Sequence, residues 1–383
     1  MTAVKPQLFT WGLGKSGQLG TGKEQTEHTP QFIKLRNKAS STLKQVSCGA
    51  LFTAVIMQDG DVFATGCGKY GRLGTGNEED HVTFVPVNLP EKVTQISCGV
   101  WHAAAVTTSY GLLVWGHRKG CGTKSGQQSS SVLTPPSLVI SPEEHKVVGV
   151  ACGNNFTLAW TDEGRVLSWG SGHHGVLGHG STDDIPSPKV EAALKDEKIV
   201  AASAGFFHSA FVTEDGKVFT CGKGSDGALG LGKNSLSDAL TPKLVSFSEN
   251  TQIASVSCSV GEHHGHTLAL PTDGKVYSWG DGYKGKLGLD SQDSSYTPSL
   301  ISPSHFNNEQ VTVVCAGGIH STASTAEGSV FTWGCGSDGR CGHPEGQGHR
   351  YLFRSDVPKK VEAFKSKFAM VSCTYYHSAA IVG

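Results

Sequence analysis

One pattern constrains this chain more than any other. A short apolar stretch ending in glycine, usually Trp-Gly, returns seven times: "LFTWG", "VFATG", "LLVWG", "VLSWG", "VFTCG", "VYSWG" and "VFTWG". The closing glycines stand at 12, 66, 116, 170, 222, 280 and 334, so the intervals are 54, 50, 54, 52, 58 and 54 residues. Self-similarity at a period of this size marks a solenoid, a propeller or an array. Residues 1–383 therefore read as one domain made of seven copies of a unit of 50–58 residues.

Repetition also decides how the first glycine-rich stretch is read. "GLGKSGQLGTG" contains a G-x-G-x-x-G at Gly12, Gly14 and Gly17 and a Gly-Lys-Ser at 14–16. A dinucleotide site needs that motif once, between a strand and a helix, with an acidic residue about 20 positions on. No helical periodicity follows Gly17, and the glycine that a P-loop needs five residues before Gly-Lys is replaced by Phe9. Related blocks recur at Gly66, Gly170, Gly222, Gly280 and Gly334. The stretch is a turn of the repeat, and no nucleotide cofactor is expected.

Each copy carries further landmarks. A small-residue segment with Gly-x-x-His precedes a β-rich run, as in "CGVWHAA" and "AGFFHSA". Turn pairs follow at Asp59-Gly60, Tyr110-Gly111, Glu163-Gly164, Asp215-Gly216, Asp273-Gly274 and Glu327-Gly328. Asp-Gly between two β-rich runs is a strong hairpin signal. A proline follows each glycine block, at Pro30, Pro86, Pro135, Pro188, Pro242, Pro298 and Pro358. Four short strands per copy make a propeller blade, and Gly at 50 of 383 residues leaves no useful amphipathic helix. The expected fold is all-β: a seven-bladed β-propeller of four-stranded blades. Seven Trp-Gly strands and seven Gly-x-x-His segments are joined by only six hairpin turns. The unpartnered "LFTWG" and "YHSAAIVG" are expected to pair and close the ring, which removes free sheet edges.

Repeats such as "HSAFVTEDGKVFTCGKGSDGALGLG" resemble those of the regulator of chromosome condensation 1 (RCC1) family, from about Leu8 to Val382. The resemblance implies the seven-bladed propeller. It further implies two functions: a protein-interaction platform, or guanine nucleotide exchange on a Ran-like or other small GTPase. The family's Ran exchange factor is expected to carry acidic residues in the second and third Gly-x-x-His segments and a His-His pair in the fifth. Here the second reads Gly99-Val100-Trp101-His102, the third Gly153-Asn154-Asn155-Phe156, and only the fifth keeps its pair, His263-His264. The even intervals leave little room for a wedge insertion, and Lys5 is the sole basic residue before the first strand. The platform is the preferred reading.

Composition narrows the partners. A net charge of −1 gives no electrostatic case for nucleic acid or membranes. No apolar run reaches spanning length, and the start lacks the apolar core of a signal peptide. Eleven cysteines show no C-x-x-C; Cys48, Cys98, Cys152, Cys258 and Cys373 share a repeat position, with Cys315 one place off it. They read as small core residues of a reduced protein of the cytoplasm or nucleus, a monomer with a protein partner.

His102, His208, His266, His320 and His377 share another position, which Phe52 and Phe156 fill in the remaining copies. A site that Phe can occupy is structural, so neither a metal nor covalent catalysis is expected there. The clusters His173-His174 with His179, and His263-His264 with His266, lie in turns without a nearby carboxylate in sequence. Trp11, Trp115, Trp169, Trp279 and Trp333, with Gly12, Gly116, Gly170, Gly280 and Gly334, read as structural repeat residues. The variable pair before the repeated His forms a ring on one face of a propeller. Trp101, Asn154, Asn155, Phe206, Phe207, His263, His264, Tyr375 and Tyr376 are the candidate interaction residues, because aromatics dominate binding hot spots. The third copy, "WGHRKGCGTKSGQQSSS", departs from the consensus at Arg118 and runs on in Ser and Gln, which suggests a more mobile loop.

Overall fold

The second and third strands of a blade are covered on both sides by neighbouring blades, and their sequences show it. Phe52–Met57, His102–Thr107, His208–Thr213 and His377–Val382 are buried at every position. Such strands carry continuous runs of small or apolar residues instead of an in-out alternation. The outer strands, such as Glu27–Ile33 and His81–Val87, are only partly buried and more polar. The computed structural model describes residues 5–35, 42–122, 133–248, 250–262, 264–346, 353–364 and 366–383.

Seven four-stranded antiparallel sheets result. We number the blades from Leu43–Val87 (one) through those beginning at Val93, Val147, Ile199, Ile253 and Val311 (two to six). Blade seven draws on both ends of the chain. Its innermost and second strands are Ala369–Cys373 and His377–Val382; its third and outer strands are Gln7–Gly12 and Glu27–Ile33. Gln7 pairs with Val382 and Gly12 with His377, so the ring closes through the two termini as the strand count implied. The innermost strands line a central channel with a volume of about 460 Å³. The seven prolines all fall in outer strands. Proline cannot donate to a further strand, so each blade's free edge resists edge-to-edge pairing.

Two buried devices join successive blades. Trp11, Trp115 and Trp279 donate their indole N–H to the carbonyls of Arg340, Arg72 and Ala228 in the preceding blade, at 3.0, 3.0 and 2.8 Å. Trp169 and Trp333 are equally buried. The repeated histidines form the second device. Nε2 of His102, His208, His266, His320 and His377 meets Thr157, Thr267, Ser321, Ser378 and Thr53 of the following blade at 2.7–2.9 Å.

The glycine block owes its letters to two different constraints. A Cβ on Gly14 would lie 1.9 Å from the Gln25 carbonyl oxygen, so close backbone approach excludes a side chain there. Gly17 instead adopts φ +76°, in the left-handed region. One turn pair needs correction. The six hairpins are three-residue turns whose third residue is left-handed, such as Gly60 with φ 81°. In blade two that residue is Tyr110 (φ 70°) and not Gly111, so the pair assigned from sequence is one residue out of register. In the third copy a single helical turn, Arg118–Cys121, replaces the usual loop. Its Ser/Gln-rich continuation, 123–132, lies outside the described residues. Among the described residues, no helix is long and apolar enough to cross a membrane.

Candidate interaction face

In an antiparallel four-stranded blade the first and third connections emerge at the same end. The tight turns that hold the candidate residues therefore share a face with the long glycine loops. Around the channel mouth the turns also bond to one another. The amides of Ala50, Val100, Asn154 and Phe206 donate to the carbonyls of Gly99, Gly153, Gly205 and Ser259 at 3.2, 3.3, 3.3 and 2.9 Å, and Gly318 donates to Thr374 at 3.4 Å. The turns form a collar built from successive blades.

The glycine loops add a second circle outside this collar. At one repeat position Tyr70, His174, Lys284 and Asp338 are all left-handed, with φ 64°, 59°, 61° and 55°. Non-glycine residues there carry a strain of about 1–2 kcal/mol each, and strained residues cluster at ligand clamps and switch regions. Loop and turn side chains meet in three groups.

In the first group, Trp101 donates from Nε1 to Asn154 Oδ1 at 3.1 Å. Its ring meets the edge of Tyr70 at 5.6 Å, and the Arg72 guanidinium lies 4.8 Å away. Arg72 is buried and donates to the carbonyls of Val100 and Lys69. Tyr70 also contacts His117, whose basicity is lowered by burial and then by Lys119, Arg72 and Arg118. Asn155, beside Asn154, is left-handed at φ 60° and half-buried.

In the second group Phe206 and Phe207 pack edge to face at 4.7 Å, and Phe207 contacts His174 at 4.9 Å. His174 Nδ1 lies 2.7 Å from Asp238 Oδ2. The carboxylate missing from the local sequence thus comes from the next blade. His179 points elsewhere, to Ser168 Oγ at 2.8 Å, so His173-His174 and His179, close in sequence, do not form one site. Among the described residues, no set of three His, Cys, Asp or Glu side chains converges as a metal site.

The third group spans blades five to seven. His263 lies outside the described residues. His264 stacks on Tyr283 at 4.6 Å and faces Asp281 Oδ2 at 3.3 Å. His266, grouped with it by sequence, is buried in the blade seam. Asp281 accepts from the buried Lys286 Nζ at 2.6 Å. Burial works to raise the Asp281 carboxyl, but the charge and hydrogen bond of Lys286, with the Tyr283 N–H and His264, together hold the group below the usual range. Tyr375 and Tyr376 pack at 4.8 Å, with the Arg340 guanidinium 5.5 Å from the Tyr375 ring. Arg340, like Arg72, is buried and donates to a turn carbonyl, that of Tyr375.

The candidate residues thus remain half-buried: they pack sideways on loop residues and keep part of each ring in solvent. Sequence reading missed their supports Tyr70, Arg72, Asp281, Lys286 and Arg340. The signal was available, because Arg72, Lys286 and Arg340 all follow the last glycine of a G-x-G-x-x-G block. Chemically, the arrangement presents aromatic surface braced by buried cations, a design suited to binding.

Comparison with known proteins places this geometry in context. The family model described as "RCC1-like domain" matches residues 7–380. The Ultraviolet-B receptor UVR8 of Arabidopsis thaliana is 31% identical over 360 residues, which cover 93% of this chain and 78% of that protein. Human WBSCR16 superposes with a TM-score of 0.85 at 24% identity, over 99% of both chains. Prp20p of Saccharomyces cerevisiae, a protein described for its binding to Gsp1p and histones, superposes with a TM-score of 0.83 at 22% identity. That match covers 100% of this chain and 92% of Prp20p.

Proposed function

Because the chain belongs to the RCC1-like domain family, we propose that it is a protein-interaction platform whose partner docks on the loop face around the channel mouth. One observation carries this reading. Trp101, Phe206, Phe207, Tyr375 and Tyr376 stay half-exposed on that face while buried or strained loop residues fix their rings in place. Rigid aromatics on a preorganised surface lose little entropy on binding, which makes them hot-spot residues. The free state of all eleven cysteines supports a reducing compartment, the cytoplasm or the nucleus.

A second reading is favoured by the likeness to Prp20p, since Gsp1p is named among that protein's partners. On this reading the same face would bind a nucleotide-free small GTPase better than its GDP-bound form and so speed GDP release. It has less support here, since Val100-Trp101 and Asn154-Asn155 supply no acid where the exchange factor of the family is expected to have one.

A release assay on a panel of small GTPases loaded with labelled GDP separates the two. The platform reading expects no acceleration, together with a protein partner whose affinity falls about thirtyfold or more on Trp101→Ala or Tyr376→Ala. Lys217→Ala, in a hairpin at the opposite end of blade four, should leave that affinity unchanged. Accelerated release from one GTPase replaces the platform with exchange. Binding lost on Lys217→Ala and kept on Trp101→Ala moves the partner to the other face.

A further inference from the structure

The innermost strands repeat one contact at most seams between blades. A serine hydroxyl of one blade accepts a hydrogen bond from a backbone N–H of the next. Cys98 N donates to Ser47 Oγ at 3.0 Å, Cys152 N to Ser97 at 2.9 Å, Cys258 N to Ser203 at 2.9 Å and Ala316 N to Ser257 at 2.9 Å. Across the closing seam, Cys48 N donates to Ser372 Oγ at 3.0 Å. The seam between blades six and seven is different. Cys315, the cysteine one place off the repeat position, stands where five other seams have serine, and it accepts from Cys373 N at 3.1 Å.

Two thiols therefore face each other where four other seams pair one thiol with one hydroxyl. The approach is reciprocal: Cys315 Sγ lies 3.4 Å from the Cys373 carbonyl oxygen, and Cys373 Sγ lies 3.2 Å from that of Cys315. Both residues line the central channel, with its volume of about 460 Å³. We propose that Cys315 and Cys373 form an oxidisable pair that closes into a disulfide across this seam when a hydroperoxide enters the channel.

The two sulfurs have unequal roles. Hydrogen bonding from the Cys373 thiol pulls the Cys315 thiol below its usual range; burial opposes this, and the Cys373 N–H adds to it. Cys373 is pushed the other way, by burial first. Cys315 is therefore the attacking thiolate. Its sulfur attacks one peroxide oxygen, the O–O bond breaks, and the departing hydroxide takes up a proton to leave as water, giving a sulfenic acid on Cys315. Cys373 sulfur then attacks the sulfenic sulfur; the S–O bond breaks, and the hydroxyl leaves with the Cys373 proton as a second water. Two thiols and one hydrogen peroxide become one disulfide and two waters. The bond ties blade six to the blade that both termini complete.

The test uses the folded, reduced protein. Hydrogen peroxide is added, remaining thiols are alkylated, and a non-reducing digest is mapped by mass spectrometry. The expected result is a cross-link between the peptides of Cys315 and Cys373, two hydrogens lighter than their sum, with a higher melting temperature than the reduced protein. Cys315→Ser installs the residue that five other seams use, so it should fold with an unchanged melting temperature and lose the cross-link completely. Recovery of both peptides alkylated would overturn the proposal. So would over-oxidised Cys315 without a partner, a link from Cys373 to Cys48, or a cross-link that survives Cys315→Ser.

Discussion

Acidification from pH 8 to pH 5 should destabilise this protein steeply, and the five seam histidines supply the reason. Thr157 Oγ1 donates to the Gly120 carbonyl at 2.8 Å, so it can only accept from His102 Nε2, which therefore carries the ring proton. The equivalent hydroxyls of Thr53, Thr267, Ser321 and Ser378 donate to Gln18, Ala228, Lys286 and Arg340 and fix the same neutral tautomer. Burial lowers His102 and His377 to about 3 and His208 to about 4. His266 and His320 are lowered by burial and then by Lys286 and Arg340 respectively. A depressed folded pKa means that the unfolded chain binds more protons. Stability is then complete above about 6.5 and falls as pH drops toward the folded values. At pH 5 each such group has lost about 1.5 units of linkage, or about 2 kcal/mol. Five groups give an upper limit of about 10 kcal/mol, comparable to the whole stability of a typical domain, about 5–15 kcal/mol. Carboxylates with lowered pKa values act only below this window.

Urea unfolding at intervals from pH 8 to pH 5 measures the effect, provided the slope with denaturant stays constant. His102→Phe isolates one contribution. Phe52 and Phe156 already occupy this repeat position, and Thr157 keeps its bond to Gly120 after the change. The variant should lose about 2 kcal/mol less than the wild type between pH 8 and pH 5. Stability that is flat across this range, or an unchanged pH slope in His102→Phe, would refute the assignment of neutral buried histidines.

Other outcomes follow from the seams and loops. Removing residues 1–12 strips the third strand from blade seven, exposing the His377–Val382 edge; circular dichroism should show loss of the cooperative melt, and an intact melt would sink the closure argument. Asp281→Asn leaves the buried Lys286 ammonium without its counter-charge and should lower unfolding stability by about 3 kcal/mol, while the double change with Lys286→Met should recover most of it. Trp333→Ala empties a fully buried indole site between blades five and six and should cost about 3–5 kcal/mol by the same unfolding measurement.

The fold was legible because each blade repeats its own instructions. Seven prolines, seven strand-ending glycines and six hairpin turns overdetermine the strand order, so the one-residue misreading at Tyr110 changed nothing larger. The loop face was legible only in half. Trp101, Phe206 and Tyr375 stood out because they vary at a fixed place in the repeat. Their supports come from glycine loops across a blade boundary, Arg72 beneath Trp101 and His174 beside Phe207. Repeat alignment stacks equivalent positions on one another, whereas contacts at a seam join non-equivalent positions of adjacent copies. The same blindness hid the thiol pair. Cys315 looked like a misplaced member of the cysteine series, yet one place along an inner strand is the distance from the donating amide of one seam to the accepting side chain of the next. A single-residue offset turned a packing cysteine into the acceptor for Cys373. In a closed repeat ring, departures from the consensus at the seams are therefore the first positions to inspect for chemistry that the repeat itself does not need.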